Sequence, residues 1–148
     1  MIKILVVHGP NLDLLGEREP NVYGKDTLEN INTLLQKEAE KNKVELKIFQ
    51  SNSEGDIVNL LRDNRKWAEG IIINPAAYTH TSVAIRDAVK ALNIPTVEVH
   101  LSNIYAREEF RQKSLIAPVA VATISGFGKQ SYVLALYGLL SLTKTKKG

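Results

Sequence analysis

Short apolar runs alternate along the chain with segments whose apolar residues recur every three to four positions. The runs are rich in β-branched residues and lack a polar face, which is typical of parallel strands covered on both sides. Such alternation predicts βαβ units with right-handed crossovers. The predicted strands cover residues 2–7, 44–49, 71–73, 96–99 and 119–124.

The segments between the strands predict helices, because their apolar residues fall on one helical face. Asp26 and Glu29 resemble an N-terminal cap of the first helix, and Pro95 closes the third. Residues 132–142 are apolar nearly all round and should be buried on more than one side. The amphipathic faces comprise Leu28, Ile31, Leu34, Leu35 and Ala39, then Ile57, Val58, Leu60 and Leu61, then Ile85, Ala88, Val89 and Leu92, and a short further helix is expected over residues 108–113.

About five such units predict an α/β protein with a three-layer flavodoxin-like fold. Its five-stranded parallel sheet should have the order 2-1-3-4-5 and carry helices on both faces, with residues 1–148 forming a single domain.

Composition excludes several classes of protein. The chain has no cysteine, so disulfides and thiolate metal sites are excluded. Its first apolar run is too short for a signal sequence, and no run reaches the length of a membrane span, so a cytoplasmic location without membrane association is expected. The net charge of +3 is matched by the three lysines of the tail, Lys144, Lys146 and Lys147, which makes nucleic-acid binding unexpected.

Polar residues collect where the predicted strands end, and ligands of such sheets bind outside the carboxyl ends of the strands. All three histidines of the chain, His8, His80 and His100, fall on this edge. Their convergence predicts a functional site there. The segments concerned are residues 8–11, 50–53, 74–80 and 100–103.

Glu98 and His100 lie two positions apart on a predicted strand, so their side chains should share a face. A carboxylate among valines is costly to bury unless it is paired. Pairing with His100 would orient the imidazole and favour its protonated form, which suits a general acid. A purely structural Glu–His hydrogen bond is the alternative.

Residues 8–26 are long for a βα connection and contain Arg18 and Tyr23. The segment is either a mobile surface loop or a lid that closes over a substrate. A tyrosine is a poor base unless a cation such as Arg18 stabilises its phenolate.

Further along, Arg107 and Arg111 would share a face of a helical segment. They are either solvated or form a clamp for an anion or a hydroxyl group.

The sequence lacks residues that the common nucleotide, phosphate and metal sites require. Residues 9–16 lack the glycine spacing of a dinucleotide-binding turn, and a P-loop near residue 126 would need a glycine at Thr123 and a hydroxyl at Gln130. A phospho-receiver site would need acidic residues where the chain has His8 and Asn74. The histidines show no helical metal spacing, so neither a metal nor a cofactor is expected.

Taken together, these motifs closely resemble the type II 3-dehydroquinate dehydratase family over essentially the whole chain. The family usually has glycine where this chain has Ala76, a change that adds a methyl group and removes no functional group. The motifs are HGPNLDLLGEREPNVYG at residues 8–24, QSNSEG at 50–55, NPAAYTHTS at 74–82, EVHLSN at 98–103 and REEFR at 107–111.

The resemblance implies a metal-free anti elimination of water from 3-dehydroquinate through an enolate, giving 3-dehydroshikimate. It implies that Tyr23 is the base, that Arg18 lowers the pKa of Tyr23, and that Asn11 stabilises the enolate. It also implies that His100, oriented by Glu98, protonates the leaving hydroxyl.

The remaining implied roles concern binding of the substrate. The substrate carboxylate would be held by Asn74 and the backbone of Leu101 and Ser102, and the ring hydroxyls by His80, Asp87 and Arg111 with Arg107 close by. The resemblance implies a homododecamer, a tetramer of trimers, in which Asp87 reaches a neighbouring subunit's site. A catalytically silent flavodoxin-like protein that binds a small anion or nucleotide remains the alternative.

Overall fold

The computed structural model describes residues 1–17, 21 and 25–147, apart from the side chains of residues 144–147. Five parallel strands form one sheet in the order β2-β1-β3-β4-β5, which confirms the predicted topology. The strands are Ile2–His8 (β1), Val44–Gln50 (β2), Gly70–Asn74 (β3), Thr96–His100 (β4) and Ala122–Ser125 (β5).

The last strand begins later than the sequence predicts. The prediction of a strand over residues 119–124 was wrong at its start, because Ala117–Val119 forms a 3-10 turn that precedes β5. Pro118 favours this turn, since its fixed φ and missing N–H suit the first positions of a helical turn rather than a strand ladder.

Four long helices cover the two faces of the sheet: Leu28–Lys41 (α1), Glu54–Asp63 (α2), Val83–Leu92 (α3) and Gln130–Lys147 (α4). The predicted cap of α1 was wrong by one position. Thr27 is the N-cap, and its side chain and that of Asn30 form a reciprocal capping box. Ser53 and Ser82 are the N-caps of α2 and α3, and the side chain of each accepts one backbone N–H bond.

Alternation along β1 divides the apolar core into two layers. Ile4 and Val6 face the layer that contains residues of α1 and α4, whereas Leu5 and Val7 face the layer that contains residues of α2 and α3. Each fully buried aliphatic side chain contributes about 1.5–3 kcal/mol, so both layers stabilise the fold.

Helix α4 is less covered than its apolar sequence predicts. Tyr132, Leu136 and Leu139 are buried, but Leu134, Tyr137 and Leu142 are each at least 40% exposed. Within this chain the helix packs against both the sheet and α1, so burial on more than one side is confirmed, but a strip of its surface remains exposed. In the part of the chain that the structure describes, no helix combines the length and apolarity needed to cross a bilayer.

The expectation of a short helix over residues 108–113 was also wrong, because this segment forms only a 3-10 turn. Two 3-10 turns, Ile104–Ala106 and Glu109–Arg111, are separated by Arg107 in an extended conformation. Arg107 and Arg111 consequently do not share a helical face, and their proximity has to arise from the path of this loop.

Candidate active site

A cavity of about 300 Å³ opens at the carboxyl edge of the sheet. This size is at the lower end of the range for small-molecule sites. Its walls come from the segments that follow β1, β3 and β4, as expected for ligand sites of such sheets. The lining residues are Pro10, Asn11, Leu12, Leu15, Asn74, Ala76, Ala77, His80, His100, Leu101, Ser102, Ile104, Arg107 and Arg111.

The predicted pair on β4 is present. The Nε2 atom of His100 lies 2.5 Å from Oε2 of Glu98, and the glutamate is 1% exposed while the histidine lines the cavity. With Nε2 donating to the carboxylate, Nδ1 is the nitrogen that can exchange a proton with a ligand in the cavity. The geometry thus suits a proton donor backed by a buried carboxylate.

Glu98 has further hydrogen-bond donors besides His100. Thr79 donates its hydroxyl to Oε2, and the Ser114 hydroxyl lies 2.7 Å from Oε1. Burial alone would raise the pKa of Glu98, but the hydrogen bond and charge of His100, together with the bonds from Thr79 and Ser114, lower it below its usual value. Glu98 is therefore held ionised in a buried position.

Sequence reasoning did not assign roles to Thr79 and Ser114. The available signal was the predicted burial of Glu98, because a buried carboxylate has more acceptor sites than one imidazole can fill. Ser114 is itself fixed, since its oxygen accepts the backbone N–H groups of Ile116 and Ala117 at 3.1 and 2.9 Å.

Asn74 ends β3 and contributes to the wall of the cavity while remaining 3% exposed. Its Nδ2 donates to the Tyr132 hydroxyl at 3.0 Å, and its Oδ1 accepts the backbone N–H of Ala76 at 3.0 Å. Leu101 and Ser102 follow β4 directly and form the adjacent wall. These predicted binding residues are therefore brought together.

Ala76 has a φ of 52°, in the left-handed region that favours glycine. The family's usual glycine at this position therefore has a conformational reason. Gly9 lies opposite, and a Cβ atom there would come within 2.6 Å of the Pro75 carbonyl oxygen. The two loops that follow β1 and β3 consequently approach each other closely at the cavity.

Two basic side chains of the cavity, His80 and Arg111, are held by the loop that follows β4. His80 donates from Nδ1 to the carbonyl oxygen of Lys113 at 2.8 Å, and Nε of Arg111 donates to Glu108 at 2.5 Å. Arg107 also lines the cavity. Among the described lining residues none is acidic, so the two arginines give the cavity a surface suited to an anionic ligand.

Asn11 is brought to the same cavity by its own backbone geometry. Its φ of 67° turns the chain sharply after Pro10, and its backbone N–H donates to Oδ1 of Asn52 at 2.9 Å. Asn tolerates this left-handed conformation better than most residues.

Two of the predicted residues are not brought into the cavity, and two others cannot be placed in it or outside it because they are not described. His8 was wrongly grouped with the other histidines, because its ring turns between Tyr132 and Asn32 and is fully buried. Asp87 is exposed on α3 and is not among the described lining residues. Arg18 and Tyr23 lie outside the described residues.

Across the described residues, no group of three or more His, Asp or Glu side chains could hold a metal ion. The metal-free chemistry expected from the sequence stays a prediction.

Comparison with known proteins agrees with the geometry of the site. The family model "Dehydroquinase class II" matches residues 2–140. The chain is 59% identical over 146 residues to the 3-dehydroquinate dehydratase of Trichodesmium erythraeum, covering 99% of this chain and 97% of that one. It is 57% identical over 143 residues to that of a Nostoc species, covering 97% of each.

Solved structures give the same result. The type II dehydroquinase of Butyrivibrio crossotus superimposes with a TM-score of 0.92 at 41% identity, covering 93% of this chain and 97% of that one. The type II dehydroquinase of Propionibacterium acnes gives a TM-score of 0.91 at 38% identity over 95% and 97% of the two chains. From its cavity, its fold and these similarities together, the chain belongs to the class II dehydroquinase family.

Proposed function

We propose that this chain removes water from 3-dehydroquinate in the cavity at the carboxyl edge of the sheet, giving 3-dehydroshikimate by an anti elimination through an enolate. The family and its named relatives support this reaction. The single observation in the structure that carries it is the Glu98–His100 pair, a buried carboxylate behind an imidazole that faces the cavity.

His100 acts as the general acid in this proposal. Ionised Glu98 accepts the Nε2–H and stabilises the imidazolium, so that the opposite nitrogen can protonate the departing hydroxyl. A positioned acid or base of this kind contributes about 10²–10⁴-fold to the rate.

The substrate carboxylate binds where Asn74, Leu101 and Ser102 meet. An amide N–H and consecutive backbone N–H groups form a concave surface that suits an anion. The ring hydroxyls lie toward His80, Arg111 and Arg107 on the opposite wall.

The proton next to the ketone is removed by Tyr23, with Arg18 stabilising its phenolate. Both residues lie outside the described part of the chain, so this assignment rests on the motif that contains them. Asn11, which lines the cavity, is placed to stabilise the enolate oxygen directly or through water.

The chain assembles as a homododecamer in which Asp87 reaches a neighbouring subunit's site. Its exposed position on α3 agrees with this role. Apolar side chains that are more than half exposed in the single chain also favour self-association, among them Val83, Tyr105, Phe110, Val121 and Phe127. The cytoplasmic location expected from the sequence stays a prediction.

Ultraviolet absorption tests the activity directly, because the product contains a conjugated enone that the substrate lacks. The wild-type chain should convert 3-dehydroquinate, His100→Ala should lose most of its kcat, and Lys90→Ala, an exposed change on α3, should behave as wild type. Binding of substrate by the wild-type chain without any rise in absorption would instead favour the silent binding protein.

A further inference from the structure

A continuous chain of hydrogen-bonded side chains runs from helix α1 to the wall of the cavity. Nε2 of His8 lies 2.9 Å from Oδ1 of Asn32, and Nδ1 of His8 lies 3.0 Å from the Tyr132 hydroxyl. The same hydroxyl lies 3.0 Å from Nδ2 of Asn74. His8 and Tyr132 are fully buried, and neither is among the described residues that line the cavity.

The direction of every hydrogen bond in this chain follows from the bond between Asn74 and the backbone of Ala76. The backbone N–H of Ala76 can only donate, so the Asn74 atom it meets must be Oδ1, and Nδ2 must be the atom facing Tyr132. Since the phenol oxygen accepts from Nδ2, its own hydrogen is left to donate to Nδ1 of His8. His8 then carries its hydrogen on Nε2 and donates it to Asn32.

The reverse direction leaves a buried donor unsatisfied. If Nδ1 of His8 carried the hydrogen, the Tyr132 oxygen would accept from two groups, and its hydroxyl hydrogen would have no acceptor among the hydrogen bonds of this cluster. Such an orphaned buried donor costs about 1–3 kcal/mol. Burial lowers the pKa of His8 to about 4, which agrees with a neutral ring carrying one hydrogen.

We propose that Tyr132 and His8 are positioning residues for substrate binding, because this chain of one-way hydrogen bonds fixes the orientation of the Asn74 amide in the cavity wall. With Oδ1 turned to Ala76 and one N–H turned to Tyr132, Asn74 keeps its second N–H for a ligand. The backbone N–H of Ala76 selects the flip state of the amide, and Tyr132 holds its Nδ2 end in place, so the remaining N–H is kept available to the substrate carboxylate.

The inference rests on the role proposed above for Asn74. Loss of the Tyr132 hydroxyl removes the acceptor that holds Nδ2, so part of the Asn74 contact with the carboxylate should be lost. A hydrogen bond to a charged group is worth enough to change an equilibrium about tenfold or more. Because the carboxylate stays bound through the reaction, the loss should affect KM rather than kcat.

Steady-state kinetics with 3-dehydroquinate test this with Tyr132→Phe, Asn74→Ala and the double variant. We expect Tyr132→Phe to raise KM about tenfold and to change kcat less than about threefold. The double variant should bind no worse than Asn74→Ala alone, because Tyr132 acts through Asn74. Fold-changes in KM that multiply in the double variant would overturn the proposal.

Tyr137→Phe is the matched control. It removes a hydroxyl from the same helix, one that donates to Glu38 at 2.7 Å on the exposed side, and it should leave KM unchanged. If Asn74→Ala leaves KM unchanged in an active enzyme, the carboxylate role of Asn74 fails. If Asn74→Ala raises KM and Tyr132→Phe does not, the positioning role alone fails.

A second pair of variants separates positioning from loss of packing. In His8→Asn an amide oxygen takes the place of Nδ1 as acceptor for Tyr132, whereas His8→Leu offers no acceptor to that hydroxyl. We expect a KM near wild type for His8→Asn and a rise similar to that of Tyr132→Phe for His8→Leu. Equal effects of the two substitutions on KM would contradict the proposal.

Discussion

Acid should destabilise this protein through His8, and the size of the effect follows from its burial. The pKa of His8 is about 4 in the folded chain and 6.5 when the residue is exposed by unfolding. Burial is the main cause, and the hydrogen bond with Asn32 offsets it only in part. Below pH 6.5 the unfolded chain thus binds a proton that the folded chain excludes.

The sign of the effect is fixed by this difference in bound protons. A group whose folded pKa is depressed contributes stability that is complete above the unfolded pKa and is lost as the pH falls toward the folded pKa. For His8 the window runs from pH 6.5 to about 4. At about 1.4 kcal/mol for each pKa unit, the full loss is about 3 kcal/mol.

Comparison with His8→Asn isolates this contribution, because all other groups titrate in both chains. Denaturant unfolding at one protein concentration, at pH 7.5, 5.5 and 4.5, should show the wild type losing stability relative to the variant. The expected relative loss is about 1 kcal/mol at pH 5.5 and about 2–3 kcal/mol at pH 4.5. A stability difference that stays constant over this range would refute a buried neutral His8.

Three further predictions concern the reaction. Thr79→Val removes a donor from Glu98 and should raise its pKa, so the acidic limb of the kcat profile should move to higher pH, while Thr96→Val, which loses only a bond to the Ile94 carbonyl, should not shift it. Tyr23→Phe should lower kcat by about 10²–10⁴-fold with KM little altered, and near-normal kcat would show that another group is the base. Turnover should survive EDTA, and its restoration by a divalent ion after loss would contradict the metal-free mechanism.

Much of the fold could be predicted because the strands are covered on both faces. Apolar runs without a polar side, separated by helical periodicity, leave few arrangements other than a parallel sheet with crossovers. The start of β5 was harder to predict, because residues 119–121 are as apolar as a strand although Val119 ends a proline-containing 3-10 turn and the strand begins only at Ala122. Apolar character alone does not distinguish these two conformations.

In the site, the odd or even position of a residue along its strand, which decides the face it occupies, was more informative than its closeness to the carboxyl edge of the sheet. Glu98 and His100 are two apart on β4, and this spacing correctly predicted that they pair. His8 has the same parity as Ile4 and Val6, which face α1 and α4, so its burial in that layer could have been inferred. The partners themselves could not, because Thr79, Ser114 and Tyr132 come from distant segments with no shared periodicity.

The cavity is supported from both sides of the sheet, and the two supports serve different steps. Ser114 and Thr79 hold Glu98 beside the layer formed by α2 and α3, while Tyr132 and His8 hold Asn74 beside the layer formed by α1 and α4.

These two clusters share no hydrogen-bond partner among the bonds described above, so their effects should be independent. We therefore consider a double variant that carries Thr79→Val and Tyr132→Phe. Its loss of kcat at low pH should equal the loss in Thr79→Val alone, and its rise in KM should equal the rise in Tyr132→Phe alone. Rate and affinity would then be set separately on the two faces of one sheet. A double variant whose kcat or KM departs more than about threefold from the product of the single effects would show that the clusters communicate through the strands between them.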